Sequence, residues 1–426
     1  MKKRKYWFGA VAAVATATLL AACATGDSGA DDGPVSLRML TWTSNPDQLA
    51  VFQEIADEFM AENPNVENIK FETVAAADMP TVISTQLLAG SPPDISWLGI
   101  EDSRYFIEAD VLMNLTDVLK STPDYDFDDL IPSLYEDWAT DEGLFGVPMS
   151  TSGRAMYYNA DLFAAAGVLN PNEMIAEGIY DWEHFSEAVK AIADTQGRPG
   201  FVISDTKWSS LVPLMYAYGA SPWSEDAETC TMDSPEMVDA LSLLHDMIYK
   251  DESVPPVTTT SNFWGGEAGA ISAYLSSAKL LKDATFNWGI APTPSGPAGS
   301  TQQVGQTSFV VFKSGKNADV AADFLAFLTN KGSAEKLAQF FAPARTSLLT
   351  TETLHAAIPL LSEEQLAPLI EATTGDGKVA PVSNTGGRAN VALDAALNEF
   401  FYQPTADVES AMTDVCGKLT PALSFG

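Results

Sequence analysis

Cysteine, histidine and positive charge are all scarce in this chain of 426 residues. Three cysteines and three histidines are too few for a disulfide-stapled scaffold or a histidine-rich metal centre. His184, His245 and His355 also stand far apart, as surface or core histidines do. Only 23 Lys and Arg stand against 57 Asp and Glu, a formal charge of -34. That balance excludes nucleic acid as a partner and reads as a solubility trait of the surface. After residue 22 no apolar run approaches the roughly 20 residues a membrane helix needs. Gly375-Asp376-Gly377-Lys378 lacks the earlier glycine and the following hydroxyl of a phosphate-binding loop, and no Gly-x-Ser-x-Gly elbow occurs. Asp124, Asp126 and Asp128 imitate the start of a calcium loop. Asp129 then fills the glycine position and Tyr135 the bidentate glutamate position, so the run reads as a solvated turn. No metal and no cofactor is expected.

What is present is an exported globular chain. Hydrophobic residues make up 46%, and the length suits two domains rather than one core. Lys2, Lys3, Arg4 and Lys5 form a basic n-region, Trp7 to Ala22 an apolar h-region, and Leu20-Ala21-Ala22-Cys23 a lipobox. Residues 1–22 therefore read as a lipoprotein signal peptide, with Cys23 as the lipidation site. Residues 23–36, small, polar and glycine-containing, read as a flexible tether. The expected location is the extracytoplasmic face of the cell membrane, held there by lipid alone. Export permits a disulfide between Cys230 and Cys416, one pairing that sequence leaves open.

The order of elements predicts an α/β fold. Leu37 to Trp42 reads as a strand, Pro46 to Asn63 as an amphipathic helix, Ile69 to Val74 as a strand, Asp78 to Ala89 as a helix and the run ending at Trp97 as a strand. This alternation implies a parallel sheet, with ligands beyond the carboxyl ends of its strands. Trp42 to Asn45 and Trp97 to Asp102 then stand at the mouth of a crevice. Gly143 to Gly167 holds, in order, a stop at Gly146 and Pro148, a polar loop from Met149 to Gly153, a buried strand from Ala155 to Tyr158, an Asn159 cap and a helix stopped by Gly167. Tyr157 and Tyr158, as strand neighbours, point to opposite faces and suit packing. Further on, Asp181 opens a helix, Phe201 to Ile203 is a short strand and Pro235 to Lys250 a long helix. Gln306 to Phe312 reads as a strand, with helices at Asn317 to Thr329 and Asn390 to Phe401.

Gly-Val-Pro followed by Tyr-Tyr-Asn-Ala-Asp-Leu-Phe and Ala-Ala-Gly resembles the first interlobe crossover of family 1 extracellular solute-binding proteins, the sugar receptors of ABC importers. Phe263 to Ala270 resembles that family's glycine-alanine motif, and Phe286 to Pro294 its second crossover. The resemblance runs from about Leu37 to Phe401. It implies a two-lobed, periplasmic-binding-protein-like fold with discontinuous lobes and a hinge: residues 37–146 and 288–328 in one lobe, 147–287 and 329–426 in the other. It also implies a monomeric, non-enzymatic receptor that closes on an oligosaccharide and docks on ABC permease subunits driven by a separate ATPase.

Sugars are held by aromatic faces against C–H surfaces and by planar polar groups that fork onto hydroxyls. The candidate contacts are Trp42, Asn45, Trp97, Glu101, Asp102, Ser152, Arg154, Trp208, Trp264, Asn384 and Arg388, each with core packing or a surface role as its competing reading. Where many relatives carry a stacking tryptophan, this chain has Ala273-Tyr274-Leu275-Ser276, so Tyr274 or Trp264 is the substitute. Two alternatives stand beside the sugar receptor. One is a secreted glycoside hydrolase, since paired carboxylates beside aromatics also describe such enzymes; the other is the same receptor type for a non-sugar solute.

Overall fold

Two β-sheets organise the chain, and they differ in how they are assembled. A computed structural model describes residues 33–151, 153–203, 207–256, 261–305, 307–375, 377–385 and 387–424. Residues 1–32, which hold the expected signal peptide, Cys23 and most of the expected tether, and Ser152 lie outside the described residues. Val35–Gly426 forms a single compact unit by its contacts. Among the described residues no helix is long and apolar enough to cross a membrane.

The first sheet begins with β1 (Val35–Thr41), β2 (Val66–Thr73) and β3 (Ile95–Gly99). Leu37 lies opposite Ile69, and Met39 lies between Phe71 and Ile95, with both neighbours parallel to β1. Helices Pro46–Glu62 and Met79–Leu88 make the two crossovers. The first helix starts where it does because the Asn45 side chain accepts from the Asp47 amide at 2.9 Å and Pro46 occupies its first turn. Its buried Val51, Phe52, Ile55 and Phe59 recur at helical spacing and enter the same core as Leu37, Leu40 and Ile95.

A hairpin, β4 (Ala139–Thr140) with β5 (Gly143–Leu144), leads to β6 (Val147–Pro148). The chain then leaves for the second sheet, built from β7 (Arg154–Asn159), β8 (Phe201–Val202), β9 (Ala270–Tyr274) and β10 (Trp288–Ala291) in the order β10-β7-β9-β8. β7 is buried on both faces. Tyr157 enters one core and Tyr158 another, as the alternation of a strand requires. The Tyr157 hydroxyl donates to the Leu275 carbonyl at 2.9 Å, and the Tyr158 ring lies across Gly289, where an added Cβ would stand 2.2 Å from it. Asn159 caps the next helix, Ala160–Ala166, by accepting from the Asp161 and Leu162 amides at 3.1 and 3.2 Å, and Gly167 ends it at φ 71°.

β11 (Thr307–Val311) returns to the first sheet and inserts antiparallel between β3 and β6. This corrects one expected boundary. Trp288–Ala291 was assigned to the returning lobe, but all four residues pair with β7, so the return falls between Ala291 and Thr307. The last crossing also lies later than Thr329. Asn330 caps a further helix, Lys331–Leu337, whose Lys336 reaches Glu54 at 2.8 Å and also Glu58 on helix Pro46–Glu62, while Leu337 enters the first core. From Ala344 onward most of the buried apolar residues join the cores around the second sheet, while Val382 enters the first core.

Arg345 marks that last crossing. Its guanidinium is buried and donates to the Thr329 carbonyl at 2.8 and 3.0 Å, the Asp126 carbonyl at 3.1 Å and Asp129 Oδ2 at 3.3 Å, beneath the Tyr125 ring at 4.7 Å. Asp129 also accepts from the Ser347 amide at 2.7 Å. The acidic run read as a solvated turn is thus tied in through the Asp126 carbonyl and the Asp129 carboxylate.

Helices Trp208–Ala217, Glu363–Thr374 and Val408–Leu423 were not anticipated. Each contains a proline (Pro213, Pro368 and Pro421), which in a sequence argues for a stop. Cys230 and Cys416 do pair, with Cα atoms 5.4 Å apart, joining a loop to the last helix across a separation of 186 residues. A Cys230→Ser, Cys416→Ser double variant is expected to lose about 2–4 kcal/mol, read as a lower urea midpoint. Equal midpoints with and without reductant in the wild type would show that the bridge contributes nothing.

Candidate ligand-binding cleft

A cleft of about 560 Å³ opens where the carboxyl end of β3 and the start of β11 face the end of β9. From the first sheet's side it takes Trp97, Thr307, Met149, Ser150 and the N-terminal turn of helix Pro46–Glu62, with Asn45, Asp47 and Gln48. From the second it takes Tyr274, Leu275, Ser276 and Lys279. Phe340 and Phe341 close one wall, and the turn from Ile358 to Leu360 another.

Trp97 is built into this wall rather than laid on it. It is 5% exposed, stacks on Trp42 at 5.3 Å with an interplanar angle of 9°, and meets Phe341 edge-on at 5.6 Å and Phe309 at 6.0 Å. The indole nitrogens of Trp42 and Trp97 are both buried without a hydrogen-bond partner. Such a tryptophan offers an edge to the cleft while most of its surface serves the core.

Tyr274 is the opposite case. It is half-buried at the end of β9, with the Arg154 guanidinium 4.4 Å from its ring centroid on β7. Arg154 is itself 4% exposed and donates to Ser210 Oγ at 3.0 Å and the Ser272 carbonyl at 3.4 Å. The arginine thus supports the ring from behind, as a cation on an aromatic face does.

Glu101 and Asp102 follow β3 but do not line this cleft. Asp102 is 4% exposed with Oδ1 unpartnered, and Glu101 folds back over Gly99, where a Cβ would lie 2.5 Å from the carboxylate. Burial pushes both carboxyls up. Asp102 rises to about 8, first through burial and then through Glu101, while Lys207 partly offsets the rise at Glu101.

The remaining candidates are engaged elsewhere. Trp208 is buried against Trp223 at 5.2 Å, and Trp264 packs on Tyr157 at 5.4 Å. Asn384 accepts from Arg104 at 3.4 Å and donates to the Asp226 carbonyl at 3.1 Å. Arg388, exposed at the start of helix Arg388–Phe401, donates to the Ser424 carbonyl. The cleft therefore gathers Asn45, Trp97 and Tyr274, with Trp42 and Arg154 directly behind them. Sequence reasoning missed Gln48, Lys279, Phe340, Phe341 and Leu360; the adjacent phenylalanines after a helix were the one available signal.

Aromatic and amide groups facing one another across two sheets make a site for holding a neutral polar solute. Asp47 is the one carboxylate among the described lining residues, so no facing acid pair for glycoside cleavage lines this cleft.

The fold is the two-lobed architecture of periplasmic sugar-binding proteins. The ABC substrate-binding protein of Listeria monocytogenes solved in complex with cycloalternan superposes with a TM-score of 0.77 at 20% identity, over 93% of this chain and 100% of that one. A putative binding protein of Brucella abortus is 27% identical over 80% of this chain and 85% of its own. The arabinooligosaccharide-binding protein of Bacillus subtilis is 24% identical over 74% of each. Residues 42–335 match the family model described as bacterial extracellular solute-binding protein, and the chain belongs to that family.

The Asp102 shift carries a sign. Because its folded value of about 8 lies above the ordinary carboxylate value, the native state holds this proton more tightly than the unfolded chain. Its contribution is present at low pH and is lost as pH rises from about 4 to 8. Urea midpoints of wild type should therefore fall relative to Asp102→Asn across that window. Parallel pH profiles would show that Asp102 is not protonated in the fold.

Proposed function

We propose that this protein is the lipid-anchored receptor of an ABC importer, binding an oligosaccharide between its lobes and delivering it to a permease energised by a separate ATPase. The observation that carries the reading is the cleft itself. Its two walls come from two sheets joined by crossings, and it is lined by Trp97, Tyr274, Phe340 and Phe341 with Asn45 and Gln48 between them. Its volume falls within the range of about 300–1,000 Å³ common to small-molecule sites. The Bacillus subtilis relative is an arabinooligosaccharide-binding protein and the Listeria monocytogenes structure holds cycloalternan, and both support a saccharide as the solute.

In this reading the lobes comprise residues 35–148 with 307–337, and the second-sheet residues with the C-terminal helices. A ligand touching both walls favours the closed state, a population shift that needs no catalysis. Cys23, behind its basic and apolar leader, carries the lipid that holds the receptor at the membrane. The receptor works as a monomer.

The test is a thermal-shift screen of the purified chain against mono- and oligosaccharides, amino acids, peptides and polyamines, since a ligand of the native state raises the melting temperature. One carbohydrate group should shift it and be recovered intact. Cleaved products would favour a hydrolase, and a shift with amino acids, peptides or polyamines alone would assign a non-sugar solute. Tyr274→Ala should then weaken binding about tenfold, by loss of a stacking face worth on the order of 1 kcal/mol. Isothermal titration with unchanged affinity would remove Tyr274 from the site. Trp97→Ala should instead lower the melting temperature first, because most of its ring is core.

A further inference from the structure

Outside the cleft, the two sides meet at a second place. Arg104, on helix Ser103–Glu108 directly after β3, holds three acceptors at once. Nη2 reaches Asp137 Oδ1 at 3.5 Å, on a turn whose Trp138 is part of the first core. Nη1 donates to the Glu225 carbonyl at 3.2 Å and to Asn384 Oδ1 at 3.4 Å. Glu225 belongs to the second lobe, and Asn384 lies on the segment that passes from Val382 of the first core to the second. Asn384 leads into helix Arg388–Phe401, whose Leu393, Leu397 and Phe400 enter the second core, and Glu225 stands between Trp223 and Cys230 of that core.

The acceptors are also held by contacts that do not involve the arginine. The Ser224 amide donates to the Thr229 carbonyl at 2.9 Å, the Glu228 amide to Asp226 Oδ1 at 3.1 Å, and Cys230 is bridged to Cys416. The Asn384 amide nitrogen is fixed on the Asp226 carbonyl at 3.1 Å. A neighbouring contact has the same direction: a Cβ on Gly387 would stand 3.9 Å from Asp102 Oδ1. On the first side Arg104 is held by Asp137, on the second it meets a stiff turn, and the planar guanidinium suits several acceptors in fixed directions.

We propose that Arg104 is a latch for the closed state, a positioning residue that joins the two lobes without lining the cleft. The groups it grips across the gap are a carbonyl and a side-chain amide, so the latch depends on the fork of donors more than on charge. Lysine, a point charge with no planar fork, replaces it only in part.

The latch concerns closure of the lobes and rests on the receptor reading only for its effect on ligand kinetics. Small-angle scattering of the purified, unliganded chain therefore tests it even if no saccharide binds. Arg104→Ala should have a larger radius of gyration than wild type, with Arg104→Lys between them, at unchanged circular dichroism. With a saccharide found in the screen, the alanine variant should release it about tenfold faster without associating more slowly. Wild type, alanine and lysine variants with the same scattering curve would overturn the proposal. So would an alanine variant whose off-rate equals that of wild type. If the alanine variant fails to fold, the lysine variant decides: a radius of gyration equal to wild type overturns the latch, and a larger one supports it.

Discussion

The pairing of β11 with β3 is the constraint on which the rest of this structure depends. Residues 307–311 insert between β3 and β6, so the chain that leaves the first sheet before β7 must come back to it after β10. A strand returning that way turns the intervening chain into a second body attached by two crossings, and the third follows before Ala344. The cleft lies beside those crossings. Phe309 on β11 and Trp97 on β3 are register partners, so the pairing that closes the sheet also seats the tryptophan that edges the cleft.

Buried polar groups divide into two kinds in this chain. Arg345 places each of its nitrogens on an acceptor and sits under an aromatic ring, so the cost of burying its charge is offset where the chain last crosses. Asp102 has no such set. Burial first, and then the Glu101 carboxyl beside it, hold its proton far above the ordinary range, and its Oδ1 lacks a partner. Arg104 stands between the two cases, half-buried and shared between lobes.

Much of the local structure was legible in the residues. The Asn159 cap, the Gly167 stop and the division of Tyr157 and Tyr158 between two cores follow from short-range rules of capping and alternation. The prolines inside three helices show packing overriding a local signal for a stop. Among the candidate contacts the rules were weaker. Trp208 and Trp264 resemble Trp97 in sequence, being aromatic residues near loops, and nothing within a few positions of each tells a core ring from one at the cleft.

By itself the sequence determined the alternation of elements and the caps and stops of several helices, since each depends on residues a few positions apart. Tertiary structure decided that Cys230 meets Cys416, that β10 stays with the second sheet, and that Tyr274 rather than Trp264 faces the cleft over Arg154. Those outcomes depend on which distant segments pack together. Residues 42, 97, 309 and 341 share one aromatic cluster, and residues 104, 137, 225 and 384 share one guanidinium, only after the chain has crossed between its sheets.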